Sequence, residues 1–288
     1  MQYRHSFHAG NFADVHKHIA LLQLVAALQK KAKGFLYLET HAGEGLYDLG
    51  GVDARHSAES DAGIRRLEQQ SINAPDRECP AIRQYLDTVH RIAGAPANHC
   101  YPGSPLLVAS HLRHADQSIC VESQPQIARA LQRAFERTAA QLAVMPRVII
   151  GDGYHEVRSQ LPPSSRRGLI FIDPPYESAE EEHHIAAALN AGLERFETGV
   201  FAVWYPIKKQ YDTDLWLARI TRGIGRPTLT AELCISAPDH AAGLNGSGML
   251  IVNPPWQFDV DALQWQPVLH ELLGGSGGTT VRWLVNEH

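Results

Sequence analysis

The sequence has few cysteines, no long apolar run and no signal for export. Its four cysteines are scattered along 288 residues without a CxxC pair, so neither a disulfide framework nor a cysteine-based zinc site is expected. No apolar stretch reaches the roughly 18 residues that a membrane-spanning helix needs. The N-terminus lacks the apolar core of a signal peptide. These absences predict a cytoplasmic protein without a membrane partner.

An excess of positive charge is also missing. The formal net charge is −5 with histidine neutral, whereas proteins that bind polyanions non-specifically are usually basic. A nucleic acid would therefore be bound through a local patch rather than through overall charge. The candidate patches are Lys30, Lys31 and Lys33; Arg65 and Arg66; Arg166 and Arg167; and Lys208 and Lys209.

Strand and helix patterns alternate along most of the chain. A helix is predicted over 12–33, followed by a strand at 35–38. Further strands are predicted at 118–122, 147–150, 168–172, 199–204, 228–236, 248–253 and 280–285, most of them separated by helical patterns. This alternation predicts an α/β fold with a mainly parallel sheet covered on both faces.

The segment 50–100 interrupts the alternation. It contains helical patterns near 58–70 and 80–93 and no convincing strand. We therefore predict one domain, formed by residues 1–49 and 101–288, with a helical insertion at 50–100.

Four predicted strands end in residues that could form one ligand site. The carboxyl ends of parallel strands meet at the edge where α/β sheets bind ligands. Glycines let the backbone approach a ligand, a glutamate can accept two ribose hydroxyls, and an aspartate can accept from an exocyclic amine. This order favours the nucleoside cofactor S-adenosylmethionine, although each residue alone could belong to a plain turn. In chain order the residues are Gly43 and Gly45, Glu122, Asp152 with Gly153, and Asp173.

The segment Asp173-Pro174-Pro175-Tyr176 suits the activation of an amino group. The exocyclic nitrogen of adenine is a poor nucleophile because its lone pair is delocalised into the ring. The Asp173 carboxylate and the Pro174 carbonyl can accept its two N–H bonds, and proline adds no competing donor. The Tyr176 ring can stack on a base, worth about 1–3 kcal/mol. We predict Asp173, Pro174 and Tyr176 to be catalytic; the alternative is a structural Asp-Pro turn.

Three other segments contain candidate residues. Four histidines near the N-terminus match no common zinc spacing, so no metal site is expected. There, Tyr3 and Arg4 offer a stacking ring and a phosphate-binding cation for RNA. Trp204-Tyr205-Pro206 could line a substrate pocket or pack in the core. Asn253-Pro254-Pro255-Trp256 follows the alternating core and is predicted to be a structural turn.

The chain closely resembles the J family of bacterial 23S ribosomal RNA adenine-N6 methyltransferases. The resemblance implies a Rossmann-like methyltransferase fold with an inserted helical subdomain, S-adenosylmethionine as cofactor and 23S ribosomal RNA as partner. By matching motif it implies that Asp173 is the catalytic acceptor and that Tyr3 contacts RNA. It also implies that the cofactor is contacted by His18, His41, Ser104, Glu122, Asp152 and Gly153. The segments that carry the resemblance are 3–11, 17–18, 38–45, 101–105, 166–176, 204–206 and 247–256.

Other functions fit part of this pattern. A DNA adenine-N6 methyltransferase needs the same four-residue chemistry, and a non-enzymatic RNA-binding protein would not need the cofactor. A nicotinamide oxidoreductase is disfavoured because the GxGxxG fingerprint is absent. Three residues depart from the usual methyltransferase pattern: Glu39, where aspartate is expected; His41, where an aromatic residue is common; and Glu44, which adds a charge to the glycine loop. No feature indicates an obligate protein partner.

Overall fold

The computed structural model describes residues 8–50, 59–73, 79–94, 99–237 and 243–286, so Tyr3 and Arg4 lie outside the described residues. The helices are α1 (Phe12–Gln29), α2 (Ile64–Asn73), α3 (Pro80–Ala93), α4 (Ser104–Ala109), α5 (Pro125–Thr138), α6 (Gly153–Ser159), α7 (Glu181–Arg195), α8 (Gln210–Ile220) and α9 (Phe258–Leu272). The strands are β1 (Leu36–Glu39), β2 (Leu46–Asp48), β3 (Cys100–Pro102), β4 (Gln117–Glu122), β5 (Arg147–Ile150), β6 (Gly168–Ile172), β7 (Val200–Ile207), β8 (Thr228–Cys234), β9 (Gly246–Val252) and β10 (Gly278–Val285).

Eight strands form one sheet in the order β10-β8-β9-β7-β6-β1-β4-β5. The five strands from β7 to β5 pair in parallel. This arrangement confirms the predicted α/β class with a mainly parallel sheet. The remaining pairings, β7 with β9, β9 with β8 and β8 with β10, are antiparallel. The strand pattern did not reveal this reversal, because a buried apolar run reads the same in either direction.

A second, two-stranded sheet pairs β2 with β3 in antiparallel register. Neither strand is among those predicted from the sequence, so β2 and β3 are corrections. Their pairing holds the chain that follows β1 against the start of α4, where the Gly103 amide donates to the Gly45 carbonyl at 2.8 Å.

Helix α1 begins at a capped end and stops earlier than the sequence suggests. The Asn11 side chain accepts from the Asp14 amide, which is typical of an N-cap. The pattern predicted a helix to residue 33, but α1 ends at Gln29. Its last carbonyls are bound by arginines: Arg113 donates to Gln29 at 3.1 Å and Arg167 to Leu28 at 2.5 Å. Side chains from two distant loops thus end the helix.

The central strands of the sheet are buried on both faces, and successive residues of β6 show the alternation. Phe171 points into a core shared with α1, α2, α3 and α9. Ile172 points into a core shared with α6, α7 and α8. Within the described part of 50–100, Ile64 of α2 and Tyr85 of α3 belong to the first of these cores. A separate subdomain at 50–100 stays a prediction. Among the described helices, none is long and apolar enough to cross a membrane.

Candidate active site

The carboxyl edge of the parallel sheet brings together the residues that follow β1, β4, β5 and β6. Glu39, the last residue of β1, is in register with Phe171 of β6 and Cys120 of β4. Glu122 ends β4 and is in register with Ile150 at the end of β5. The polar residues at the four strand ends therefore lie along one edge, as their order in the sequence predicts.

Asp173 follows β6 and is held by a buried lysine. The Lys17 ammonium of α1 donates to Asp173 Oδ2 at 2.7 Å and lies 2.8 Å from Asp14 Oδ1. The Lys17 side chain is 4% exposed and that of Asp173 is 13% exposed. Burial alone would lower the pKa of Lys17, but the charges and hydrogen bonds of the two carboxylates outweigh it and hold the pKa above its ordinary value. The edge therefore contains a charged lysine between two carboxylates.

Tyr176 has a left-handed backbone, with φ of 55°, which is uncommon for a residue other than glycine. Its hydroxyl donates to the Trp204 carbonyl at 2.5 Å. Its ring meets those of Trp204 and Trp216 edge-on, with centroids 5.8 Å and 6.2 Å away. Burial raises the Tyr176 pKa. These contacts hold the last residue of the tetrapeptide in a conformation that costs about 1–3 kcal/mol.

Glu122 holds the glycine loop that follows β1. Gly43 and Gly45 have φ of 65° and 76°, a region that favours glycine. The Gly43 amide donates to Glu122 Oε2 at 3.1 Å, and the Gln124 amide donates to Oε1 at 2.8 Å. A carboxylate offers about four lone-pair directions, so this arrangement leaves acceptor capacity for ligand hydroxyls.

Asp152 and Gly153 connect β5 to α6. Asp152 caps the helix, since its Oδ1 accepts from the Tyr154 amide at 2.9 Å. The cap uses one of its two carboxylate oxygens. A Cβ on Gly153 would lie 2.0 Å from the Thr40 carbonyl oxygen, so the close approach of α6 to the end of β1 requires glycine.

His41 forms the side of the edge next to α6. Its Nδ1 lies 2.7 Å from Thr40 Oγ1, and its ring meets that of Tyr154 edge-on, with centroids 4.9 Å apart. Burial lowers the His41 pKa to about 4, so the ring is neutral at pH 7. The Tyr154 hydroxyl donates to Glu181 at 2.5 Å and ties α6 to the start of α7.

Ser104 and His18 are both buried and contact other buried side chains. The Ser104 hydroxyl donates to Glu39 Oε1 at 2.5 Å, and the Tyr37 hydroxyl donates to Oε2 at 2.9 Å. His18 Nδ1 lies 2.7 Å from the Tyr101 hydroxyl. Burial raises the pKa of Glu39 to about 8, even though both hydroxyl donors act in the opposite direction. Glu39 is therefore mostly protonated at pH 7.

Comparison with known proteins identifies the family. A family model described as "Ribosomal RNA large subunit methyltransferase D, RlmJ" matches residues 32–285. The chain belongs to this family. It is 36% identical over its full length to the curated "Ribosomal RNA large subunit methyltransferase J" of Escherichia coli K12, and 35% identical to that of Haemophilus influenzae Rd, in each case over the relative's full length as well. A crystal structure of a Legionella pneumophila protein has a TM-score of 0.84 at 30% identity, covering 97% of this chain and 98% of that one. The resemblance seen in the sequence is confirmed.

Sequence patterns did not single out two residues of the site in this RlmJ-family chain. Lys17 belongs to a matching segment, but its contact with Asp173 spans 156 positions. Glu39 was noted only as a departure. A signal for Lys17 exists: Asp14 and Lys17 stand at i,i+3 spacing in a largely buried helix, and charges on a buried helix face are rare unless paired.

Glu39→Gln should flatten the dependence of stability on pH. The folded-state pKa of Glu39 is about 8 and its ordinary value is 4.5, so between these values the folded state keeps a proton that the unfolded state has released. Raising the pH through this window therefore favours unfolding, with a slope of up to about 1.4 kcal/mol per pH unit. Glutamine is isosteric and has no such proton.

Urea unfolding from pH 5 to pH 8.5, followed by circular dichroism, tests this expectation. Glu136→Gln makes the same change on the exposed face of α5 and should follow the wild type. Parallel stability curves for Glu39→Gln and wild type would show that Glu39 is ionised throughout.

Proposed function

We propose that this chain transfers a methyl group from S-adenosylmethionine to N6 of an adenine in 23S ribosomal RNA. The observation that carries the proposal is the Lys17–Asp173 pair at the carboxyl edge, with 2.7 Å between Nζ and Oδ2. Membership of the RlmJ family and the names of the two full-length relatives support the reaction and the class of RNA.

Asp173 and Pro174 orient the amino group of the target adenine. Lys17 occupies Asp173 Oδ2, which directs Oδ1 to accept one of the two N6–H bonds. The Pro174 carbonyl accepts the other. Two acceptors favour a pyramidal nitrogen whose lone pair is localised and can attack, and the proton that N6 then loses passes to Asp173, directly or through water. The Lys17 charge stabilises the negative carboxylate throughout, so the acceptor is ready before the base arrives.

The residues at the neighbouring strand ends fit the cofactor. When bound, S-adenosylmethionine supplies an electrophilic methyl group. The backbone of the Gly43–Gly45 loop lies close to the bound cofactor. Glu122, already held by the Gly43 amide, accepts hydrogen bonds from the ribose hydroxyls. Asp152 accepts from the adenine amine through the oxygen that does not cap α6. His18, His41, Ser104 and Gly153 complete the proposed set of residues that contact the cofactor.

Aromatic groups complete the substrate side. The target adenine has to leave its stack, which costs about a few kcal/mol in a paired context. Tyr176 receives the extruded base by stacking. Tyr3 and Arg4, outside the described residues, contact the RNA by stacking and by binding phosphate.

The test is methylation of protein-free, in vitro transcribed 23S ribosomal RNA with labelled S-adenosylmethionine. Nuclease digestion and mass spectrometry should find N6-methyladenosine at one position. A DNA duplex of the same sequence should compete poorly; preferential methylation of the DNA would favour a DNA adenine methyltransferase instead. If calorimetry detects no S-adenosylmethionine binding, the chain is a non-enzymatic RNA-binding protein.

A further inference from the structure

Next to the proposed active site lies a hydrogen-bonded network of buried polar side chains, to which the reaction above assigns no role. His16 of α1, Ser247 of β9 and Gln266 of α9 are each 0% exposed. Their positions are far apart in the sequence, and the fold brings them together beneath Trp204. Buried polar groups are usually satisfied by hydrogen bonds, and His16 contacts both Ser247 and Gln266.

One assignment of donors and acceptors fits the contacts of this network. The Trp204 indole N–H donates to Ser247 Oγ at 2.9 Å. His16 Nδ1 lies 2.9 Å from the same oxygen, and Gln266 Nε2 lies 2.9 Å from His16 Nε2. With Nδ1 protonated, His16 donates to Ser247 and accepts from Gln266, and the Ser247 hydroxyl donates to the Ala13 carbonyl at 3.4 Å. Burial lowers the His16 pKa to about 3, so the ring stays neutral.

Trp204, at the end of this network, makes three contacts with Lys17 and Tyr176. The Lys17 ammonium lies 5.3 Å from the centroid of its ring, within the range of a cation–π contact. The Tyr176 ring meets it edge-on, and the Tyr176 hydroxyl donates to its carbonyl. The orientation of one indole therefore affects both the lysine that holds Asp173 and the tyrosine of the tetrapeptide.

We propose that His16 and Ser247 are positioning residues for methyl transfer: they fix the Trp204 indole so that its face meets Lys17 and its plane stands steeply inclined to the Tyr176 ring. The inference rests on the proposed function. Ser247 is the centre of the arrangement because its oxygen binds the indole, the imidazole and the α1 backbone at once. Small misplacements of reacting groups cost much rate, so loss of this hydroxyl should act on kcat rather than on cofactor binding.

A double-mutant cycle tests the proposal. Ser247→Ala should lower kcat by about 10- to 100-fold, with KM for S-adenosylmethionine within about twofold of wild type. Trp204→Phe removes the indole N–H and should cause its own loss. In the Trp204→Phe background, Ser247→Ala should change kcat little further, because the bond it removes is already absent. An equal fold-loss in both backgrounds would overturn the proposal.

Controls separate positioning from folding. Ser118→Ala makes the same change at a buried serine of β4 and should leave kcat at the wild-type value. If Ser247→Ala does not fold, as judged by thermal melting, His16 variants replace it. Asparagine places an amide nitrogen where Nδ1 lies, so His16→Asn should largely retain kcat and His16→Ala should lose it; equal losses would contradict the proposal.

A readout without catalysis keeps the two proposals apart. The Trp204 contribution to fluorescence is the difference between the emission spectra of a protein with and without Trp204→Phe. This difference is taken once in the wild-type background and once in the Ser247→Ala background. The emission maximum of the difference spectrum should shift in the Ser247→Ala background. If the wild type methylates no RNA but the shift is seen, the proposed function fails while the positioning of Trp204 stands. An unchanged emission maximum would overturn the positioning role.

Discussion

Asp173→Asn is expected to lower kcat for methyl transfer by about 10²–10³-fold, the usual cost of removing one preorganised polar group at a reacting centre. Asparagine is isosteric and keeps one oxygen, but it lacks the negative charge that pairs with Lys17 at 2.7 Å. It also replaces one of the two carboxylate oxygens, which accept hydrogen bonds from Lys17 and from N6–H, with an NH₂ group that cannot accept. The affinity for S-adenosylmethionine should change little, because Asp173 is not among the residues proposed to bind the cofactor. Single-turnover methylation and calorimetry measure the two quantities separately.

The matched control for this variant is Asp87→Asn, which makes the same chemical change on the exposed face of α3. It should keep kcat within about twofold of wild type, as expected for a surface substitution. Full activity of Asp173→Asn, with an intact fold, would remove Asp173 from the mechanism.

Lys17→Met should be damaging to both stability and activity. It leaves Asp14 and Asp173 buried without their shared cation, and breaking a buried pair in this way costs about 3–5 kcal/mol. Methionine matches the length of the lysine stem, so packing against Trp204 is largely kept. We expect the free energy of unfolding in urea to fall by that amount, and kcat to fall with it because Asp173 is no longer held.

A second substitution separates these two losses. Lys17→Met/Asp14→Asn removes the negative charge of one of the two carboxylates that Lys17 contacts, so it should be more stable than Lys17→Met alone. Its kcat should stay low, since Asp173 still lacks its partner. Recovery of both quantities together would mean that Lys17 acts only on folding.

The sequence predicts well which polar residues lie at the carboxyl edge of the sheet, because the rule behind that prediction is local. A polar residue directly after a buried strand has to lie at the carboxyl edge if the sheet is parallel, and this places Glu122, Asp152 and Asp173 without any knowledge of tertiary contacts. The same alternation predicts the α/β class, which the structure confirms.

Contacts between distant segments could not be predicted from such a local rule. The apolar pattern of α1 shows that the helix is buried but not which strand end Lys17 meets. Likewise, Ser104 was expected at the cofactor, and the structure also places its hydroxyl on Glu39. Such contacts depend on how helices cross the sheet, which pattern and propensity do not specify.

The reversal of β9 decides which of two similar tetrapeptides can be an amino-group site. Val252 pairs with Phe201 near the start of β7, so Asn253-Pro254-Pro255-Trp256 leaves the sheet at the edge opposite to Asp173. There the Asn253 amide donates to the Glu197 and Gly199 carbonyls, both at 2.8 Å, and fastens a loop. The sequence pattern alone offers two candidate tetrapeptides in this chain. The direction of the preceding strand places only Asp173-Pro174-Pro175-Tyr176 at the carboxyl edge of the parallel strands.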